Sequence, residues 1–307
     1  MSGILTKDKL TSILTVKSTI EIKSEGRTLF RYCRDGSTIQ ICNQEQKKTV
    51  FESLARVTGL IDHRCEYYPY MLRPGQELKF DRLSFAGFRE WFMKITANRT
   101  VALDTGVIVH HLMSRVVLPH LRTRDVESIF QFMQSLTIPR LAIIEIEDKY
   151  NRAKEKDRDR RLMIYALTEV QALKALGALI STFPLASSFL ADFRRAEGGH
   201  HADAFIRREI MESRDPYLTV FVTRDLMNAM AASAEGMDSL YFAVADPDTS
   251  TISISSEQLV DAVIEAAITF SEIEIYDADA KSSIMLEGMW SGKTNIDWFE
   301  SRLRIRS

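Results

Sequence analysis

The chain has 307 residues, 45% of them hydrophobic and 27% charged, with a net charge of −2, the ordinary balance of a globular chain long enough for two domains. No apolar run approaches the ~20 residues that cross a bilayer, and three cysteines (Cys33, Cys42, Cys65) are too few and of the wrong parity for a disulfide framework. The N-terminal stretch MSGILTKDKLTSILTVK has neither a long apolar region nor a small-residue cleavage site, so a cytoplasmic location is expected.

Taken in chain order, residues 18–42 read as a β-meander. Ile20 and Ile22 alternate with polar residues, Glu25-Gly26 makes a turn, a strand runs from about Thr28 to Cys33, and Asp35-Gly36 signals a hairpin into SerThrIleGlnIleCys. Val50, Phe51, Leu54, Val57 and Leu60 recur at helical spacing. Pro69, Pro74 and Gly75 mark a loop, and Phe85 to Ala97 reads as a short helix, which closes a small α+β domain over 1–98. The character then changes. Thr100–Asp104 reads as a buried strand, Val107–Leu121 and Arg124–Leu136 as helices, and roughly Glu145 to Ser181 as one long helix. A helix over Ala202–Ser213, a strand over 218–223, a helix over Leu226–Glu235 stopped by Gly236, and a strand over Leu240–Val244 follow. Strands alternating with helices imply an α/β fold with a parallel sheet covered on both faces, here over 99–246. The break AspProAspThrSer (246–250) opens an α/β extension over 247–307, with a helix near Glu257–Thr269 and extended stretches near Ile273–Tyr276 and Ile284–Leu286.

The charge is unevenly spread. Residues 1–100 hold 17 Lys+Arg against 11 Asp+Glu, and the remainder 23 against 31. A basic front and an acidic back suit a nucleic-acid surface joined to a carboxylate metal site, and chance gives the same imbalance. Asp104-Thr105-Gly106 repeats the signature of an aspartic protease. That chemistry needs two facing aspartates on an all-β fold, whereas a helical period follows here and no second Asp-Thr-Gly exists in the chain. Ligands of open parallel sheets bind at the C-terminal ends of the strands. Asp104 ends one strand, Asp225 lies just past another, Glu145 closes the apolar stretch LeuAlaIleIle, and Asp203 starts a helix. Four clustered carboxylates repel one another unless a cation intervenes. Mg²⁺ or Mn²⁺, which favour oxygen ligands, would supply it and would suit attack of water on a phosphodiester.

This ordered set resembles the PIN-domain nuclease family. The residues that carry the resemblance are AlaLeuAspThr (102–105), IleIleGlu (143–145), HisAlaAsp (201–203) and PheValThrArgAsp (221–225). They span about residues 99–246. Gly106 departs from the Asn or Ser usual after Asp-Thr, and the stretch from Glu145 to Asp203 is unusually long, which leaves Glu147 as a competitor for Glu145. The resemblance implies a three-layer α/β/α fold and a metal-dependent endoribonuclease acting on RNA, single-stranded by preference, through metal-activated water. It also implies Asp104, Glu145, Asp203 and Asp225 as ligands of Mg²⁺ or Mn²⁺, Thr105 and Thr223 in support, and a homodimer. For any one of these acids the plainer role is a helix cap or first-turn acid.

Other features carry less. GlyMetTrpSerGlyLysThr (288–294) has three residues between its glycines where a P-loop has four. Cys33, Cys42, His63 and Cys65 lack zinc spacing. GlyArgThrLeuPheArgTyrCysArg (26–34) alternates basic and aromatic groups and could stack bases, although Phe30 and Tyr32 on one strand face read more simply as core. The expected activity is a metal-dependent ribonuclease. The alternatives are a non-catalytic RNA-binding or scaffold protein on the same fold, and a metal-dependent phosphatase.

Overall fold

The computed structural model describes residues 4–15, 17–43, 45, 47, 49–50, 54, 67–74, 99–117, 132–153, 158–196, 201–244, 251–289 and 302–306. The expected helices around Val50–Leu60, Phe85–Ala97 and most of Arg124–Leu136 lie outside them, as do His63, Cys65 and most of the P-loop-like stretch. The chain divides into two compact units. One takes Met1–Glu66, Ala153–Leu162 and Ala245–Ser307, the other Tyr67–Arg152 and Met163–Val244.

The first unit holds one eight-stranded antiparallel sheet built from both ends of the chain. Its strands are β1 (Ile4–Leu5), β2 (Thr19–Ser24), β3 (Arg27–Cys33), β4 (Thr38–Ile41), β11 (Thr251–Ser253), β12 (Glu272–Asp277), β13 (Ser282–Met289) and β14 (Arg302–Arg306), in the order β1-β14-β13-β12-β2-β3-β4-β11. Alternation explains it. In β2 the residues Ile20 and Ile22 are buried between half-exposed polar neighbours, and Ile273 and Ile275 repeat this in β12. Register pairs Ile275 with Ile22 across the centre of the sheet. Helix α1 (Lys7–Thr15) packs on helix α8 (Ser256–Phe270), which lies on β12 and β13. A capping box at Ser255 and Gln258 starts α8. Phe30 and Tyr32 are buried and Arg31 pairs with Glu21 at 2.6 Å, so the basic-aromatic stretch is core and ion pair.

The domain boundaries expected from the sequence differ from this arrangement in a physical respect. Residues 247–307 do not stand apart from the N-terminal segment, because β12 hydrogen-bonds to β2 and β11 to β4. Nor does the α+β segment run to 98. The strand β5 (Tyr67–Leu72) pairs antiparallel with β10 (Asp238–Val244) in the other sheet. Pro69, expected in a loop, sits in this edge strand, where a missing N–H is tolerated.

The second unit is α/β. Its sheet runs β5-β10-β9-β6-β7-β8, with β6 (Thr100–Leu103), β7 (Leu136–Ile138), β8 (Leu179–Ile180), β9 (Thr219–Thr223) and β10 all parallel. Every residue of β7 and β9 is buried, and Val101, Ala102 and Leu103 with them. Apolar runs buried on both faces are what a parallel sheet demands. Helices α2 (Thr105–Val109), α3 (Arg140–Arg152), α4 (Arg158–Ala175), α5 (Ser187–Ala196), α6 (His201–Ser213) and α7 (Leu226–Ala234) accompany the strands.

Two helices differ from expectation. The one expected over Val107–Leu121 stops at Val109. His111 adopts a left-handed φ of 53° and a wider helical turn resumes over Leu112–Val117. The long helix expected over Glu145–Ser181 is instead α3, α4 and the strand β8.

Candidate functional site

From β6 the chain steps to β7 and β8 on one side, then returns to place β9 and β10 on the other. The sheet therefore reverses its winding between β6 and β9, and at such a switch point the loops beyond two neighbouring strands diverge and leave a crevice. Asp104 directly follows β6, and Asp225 lies two residues past β9. The amide of Asp104 is tied to the Val222 carbonyl at 2.9 Å, which fixes the two strand ends side by side.

Each acid is positioned by its own element. Asp104 caps α2, its Oδ1 accepting the Thr105 amide at 2.8 Å and its Oδ2 the Thr223 hydroxyl at 2.6 Å. Thr223 in turn accepts the Asp225 amide at 3.0 Å. Asp225 caps α7 through the amides of Met227 and Asn228 at 2.7 and 3.2 Å. Asp203 sits in the first turn of α6. Glu145, expected at the close of an apolar stretch where a helix begins, lies instead within α3, because that apolar stretch is already helical; it is buried, and its Oε2 accepts the Thr105 hydroxyl at 2.6 Å. Its competitor Glu147 is exposed. The helix-start role thus holds for Asp104, Asp203 and Asp225, and not for Glu145.

The charges feel one another. Burial, with the neighbouring charges of Asp203 and Glu145, pushes the Asp104 carboxyl up to about 7, against the opposing hydrogen bonds from Thr223 and Thr105. Burial also raises Asp203, helped by Glu145 and Asp225 and opposed by Arg207 and Lys149. Four carboxylates and two hydroxyls form a hard oxygen donor set, chemically suited to Mg²⁺ or Mn²⁺. As they stand, no three His, Cys, Asp or Glu side chains among the described residues converge tightly enough to share one ion. Instead the Lys149 ammonium lies 2.5 Å from Glu145 Oε1.

No protein-family model matches this sequence, and no curated protein matches it. Among solved structures, a domain of a functionally unknown protein from Methanocaldococcus jannaschii DSM 2661 is 16% identical. The match covers 49% of this chain and 96% of that one, with a TM-score of 0.36, a likeness that supports no argument about function.

Three buried polar residues surround the cluster without having stood out in the sequence. Glu209 of α6, fully buried, accepts the amides of Arg140 and Leu141 at 2.8 and 2.9 Å and so caps α3 from outside. Arg207 of the same helix pairs with Glu235 at 2.7 Å and with Asn228 of α7. Glu169 of α4 accepts the Ser114 amide and hydroxyl at 3.0 and 2.5 Å, with His111 Nδ1 at 3.2 Å. Serine, histidine and acid meet there, but both partners turn to the carboxylate. That arrangement satisfies a buried acid and is not a serine–histidine–acid relay, in which the imidazole would stand between the other two. No local signal marks Glu209, Arg207 or Glu169; Lys149, also missed, stands four residues after Glu145, the spacing of a helical ion pair, which could have found it. The side chain of His201 lies outside the described residues. Gly106 is not dictated by crowding, since a Cβ there would meet Arg224 Cβ at 3.7 Å and Asp104 Oδ2 at 3.8 Å, ordinary contact.

Among the described residues no helix is long and apolar enough to cross a membrane.

Proposed function

We propose that this chain is a metal-dependent endoribonuclease of PIN-like, three-layer α/β/α organisation, working at the switch point between β6 and β9. The observation that carries the reading is that Asp104, Glu145 and Asp225 are linked there through Thr105 and Thr223, and that burial, with the charges of Asp203 and Glu145, raises the Asp104 carboxyl to about 7. Two buried acids, Asp104 and Glu145, beside the half-buried Asp203 and Asp225 cost stability. Evolution tolerates that cost most readily where the charges bind something. These four residues would hold one or two Mg²⁺ or Mn²⁺ ions. When bound, such ions lower the pKa of water and neutralise charge on a phosphodiester. Thr105 holds Glu145 and Thr223 holds Asp104, so each hydroxyl fixes the direction of one carboxylate. The substrate class, single-stranded RNA, and a homodimeric state come from the family resemblance, as does a cytoplasmic location from the composition.

The test is cleavage of a labelled single-stranded RNA in Mn²⁺, Mg²⁺ or EDTA by the full chain and by Asp104→Asn. Cleavage that disappears in EDTA and drops at least ~100-fold in the variant is expected, as for loss of a ligand that stabilises transition-state charge. Tight RNA binding without cleavage in either metal would instead favour a non-catalytic RNA-binding scaffold. One observation leans that way: Glu145 is already engaged by Thr105 and Lys149.

A further inference from the structure

Lys149 occupies the position where a cation is most useful to this cluster. It stands one helical turn after Glu145 in α3, its Nζ 2.5 Å from Glu145 Oε1, with its side chain 45% exposed so that it can swing outward into water. Its charge also reaches Asp203, on a different helix, where it opposes the effect of Glu145. An ordinary helical i, i+4 pair neutralises one surface acid. Here the acid is buried, and its other oxygen is held by the Thr105 hydroxyl at the exit of β6, so the lysine sits on the acid that joins α3 to α2. The ammonium neutralises part of the charge that a divalent ion would otherwise neutralise.

We propose that Lys149 is a resident counter-ion of the acidic cluster, holding Glu145 in the metal-free protein and competing with a divalent ion for it. The idea rests on the quartet being the divalent site. Binding an ion then requires Lys149 to release Glu145, since two cations at one carboxylate repel each other. Removal of the ammonium should tighten metal binding while weakening the metal-free fold. Loss of a merely superficial ion pair would do only the second.

The experiment is a Mn²⁺ titration of the full, metal-stripped chain, with free Mn²⁺ read by electron paramagnetic resonance and thermal unfolding followed with and without the ion. The proteins compared are the unmodified chain, Lys149→Met, Lys149→Arg and Asp104→Asn. The expected result is Mn²⁺ affinity raised about 2- to 10-fold in Lys149→Met, the scale of a partly exposed ion pair converted to affinity. Lys149→Arg should stay near the unmodified chain, and Asp104→Asn should lose binding. Lys149→Met should also melt lower without metal and gain more on its addition. Equal or weaker Mn²⁺ affinity in Lys149→Met, with the unmodified chain binding, overturns the counter-ion role and leaves the metal site intact. Absence of Mn²⁺ binding in both the unmodified chain and Lys149→Met overturns the metal reading, and the counter-ion role with it.

Discussion

Asp104 answers the question its own motif poses. Asp-Thr-Gly here is the exit of a parallel strand into a helix, and the aspartate caps that helix while sharing Thr223 with the neighbouring strand end. Its carboxyl titrates near 7 in the folded chain, against an ordinary 3.8. The folded state therefore holds this proton more tightly than the unfolded state, and stability falls as pH rises. The loss begins near the ordinary value, grows until the folded carboxyl ionises around 7, and is constant above that. Asp203, raised for the same reason, acts in the same direction. Asp104→Asn keeps the shape and removes the charge. In metal-free buffer above pH 7 it should stabilise the chain by on the order of 2–4 kcal/mol. The gain should shrink towards pH 4. Chemical denaturation at pH 5 and 8 measures this, and a variant less stable than the parent at pH 8 would refute it. Asp277 shows the opposite sign. The Lys17 ammonium beside it, with the turn amides of Ala280 and Asp279, holds its carboxyl below the ordinary range. That contribution is full above about pH 4 and is lost in acid. Asp277→Asn should therefore lower the melting temperature at neutral pH, with the difference shrinking as the pH falls below the ordinary carboxylate range and the folded carboxyl takes up its proton.

At the scale of elements, α6 is the part that organises the cluster. It carries Asp203 in its first turn, sends Arg207 to α7 and Glu209 to the start of α3. The helices bearing Glu145 and capped by Asp225 are thus both tied to the helix bearing Asp203. Glu209→Gln replaces one carboxylate oxygen with an N–H facing another N–H. It should cost about 1–3 kcal/mol, the range for stranding a buried donor, read as a shift in urea midpoint; no shift would mean that water caps α3 as well as Glu209 does. The sequence announced some of these elements and hid others for physical reasons. The start of α7 was legible because Asp225 is a cap that acts through its own neighbours, and Gly236 ends that helix with a φ of 99°. Strand β7 was not, since three residues are too few to show a period and only burial between β6 and β8 makes them a strand. The break at His111 was hidden because a left-handed histidine has no local signal, and the partner of its side chain, Glu169, is distant in sequence. The hairpin expected at Asp35-Gly36 exists, but the left-handed residue is Ser37 after a short 3₁₀ turn. Glu145 was found by its order among the acids, although its place inside a helix was not. Glu209 could not have been found at all, because nothing local distinguishes it from a surface glutamate.

For the whole molecule, the decisive fact is which strands complete which sheet. The alternation of Ile20 and Ile22 was plain in the sequence, but their cross-sheet partners lie some 250 residues away: Ile20 pairs with Asp277 and Ile22 with Ile275. Periodicity reports which face of a strand is buried, and says nothing about the strand that covers its edge. A boundary drawn at 98 from local composition therefore separates β2–β4 from β11–β14, and leaves β10 without β5. Such cuts expose unpaired edges and uncovered apolar faces. A fragment of residues 1–98 retains one turn-linked meander and α1, but loses α8 and the central partner β12. Among the described residues the meander β2–β4 keeps only α1, and β1 and β5 lose their partners β14 and β10, so too little is buried to offset the ordering entropy of the chain. This fragment should show collapsed amide dispersion in its nitrogen-proton spectrum and no cooperative thermal transition. A fragment of residues 67–244 keeps the whole six-stranded sheet and carries Ala153–Leu162, which belong to the other compact unit, as an insert. It should fold more stably than residues 99–246, which leave the β10 edge bare. Circular dichroism melts of the two compare them directly. Equal stability would mean that β5 contributes pairing without energy, and a well-dispersed spectrum from residues 1–98 would mean that the N-terminal meander closes its own core without the C-terminal strands.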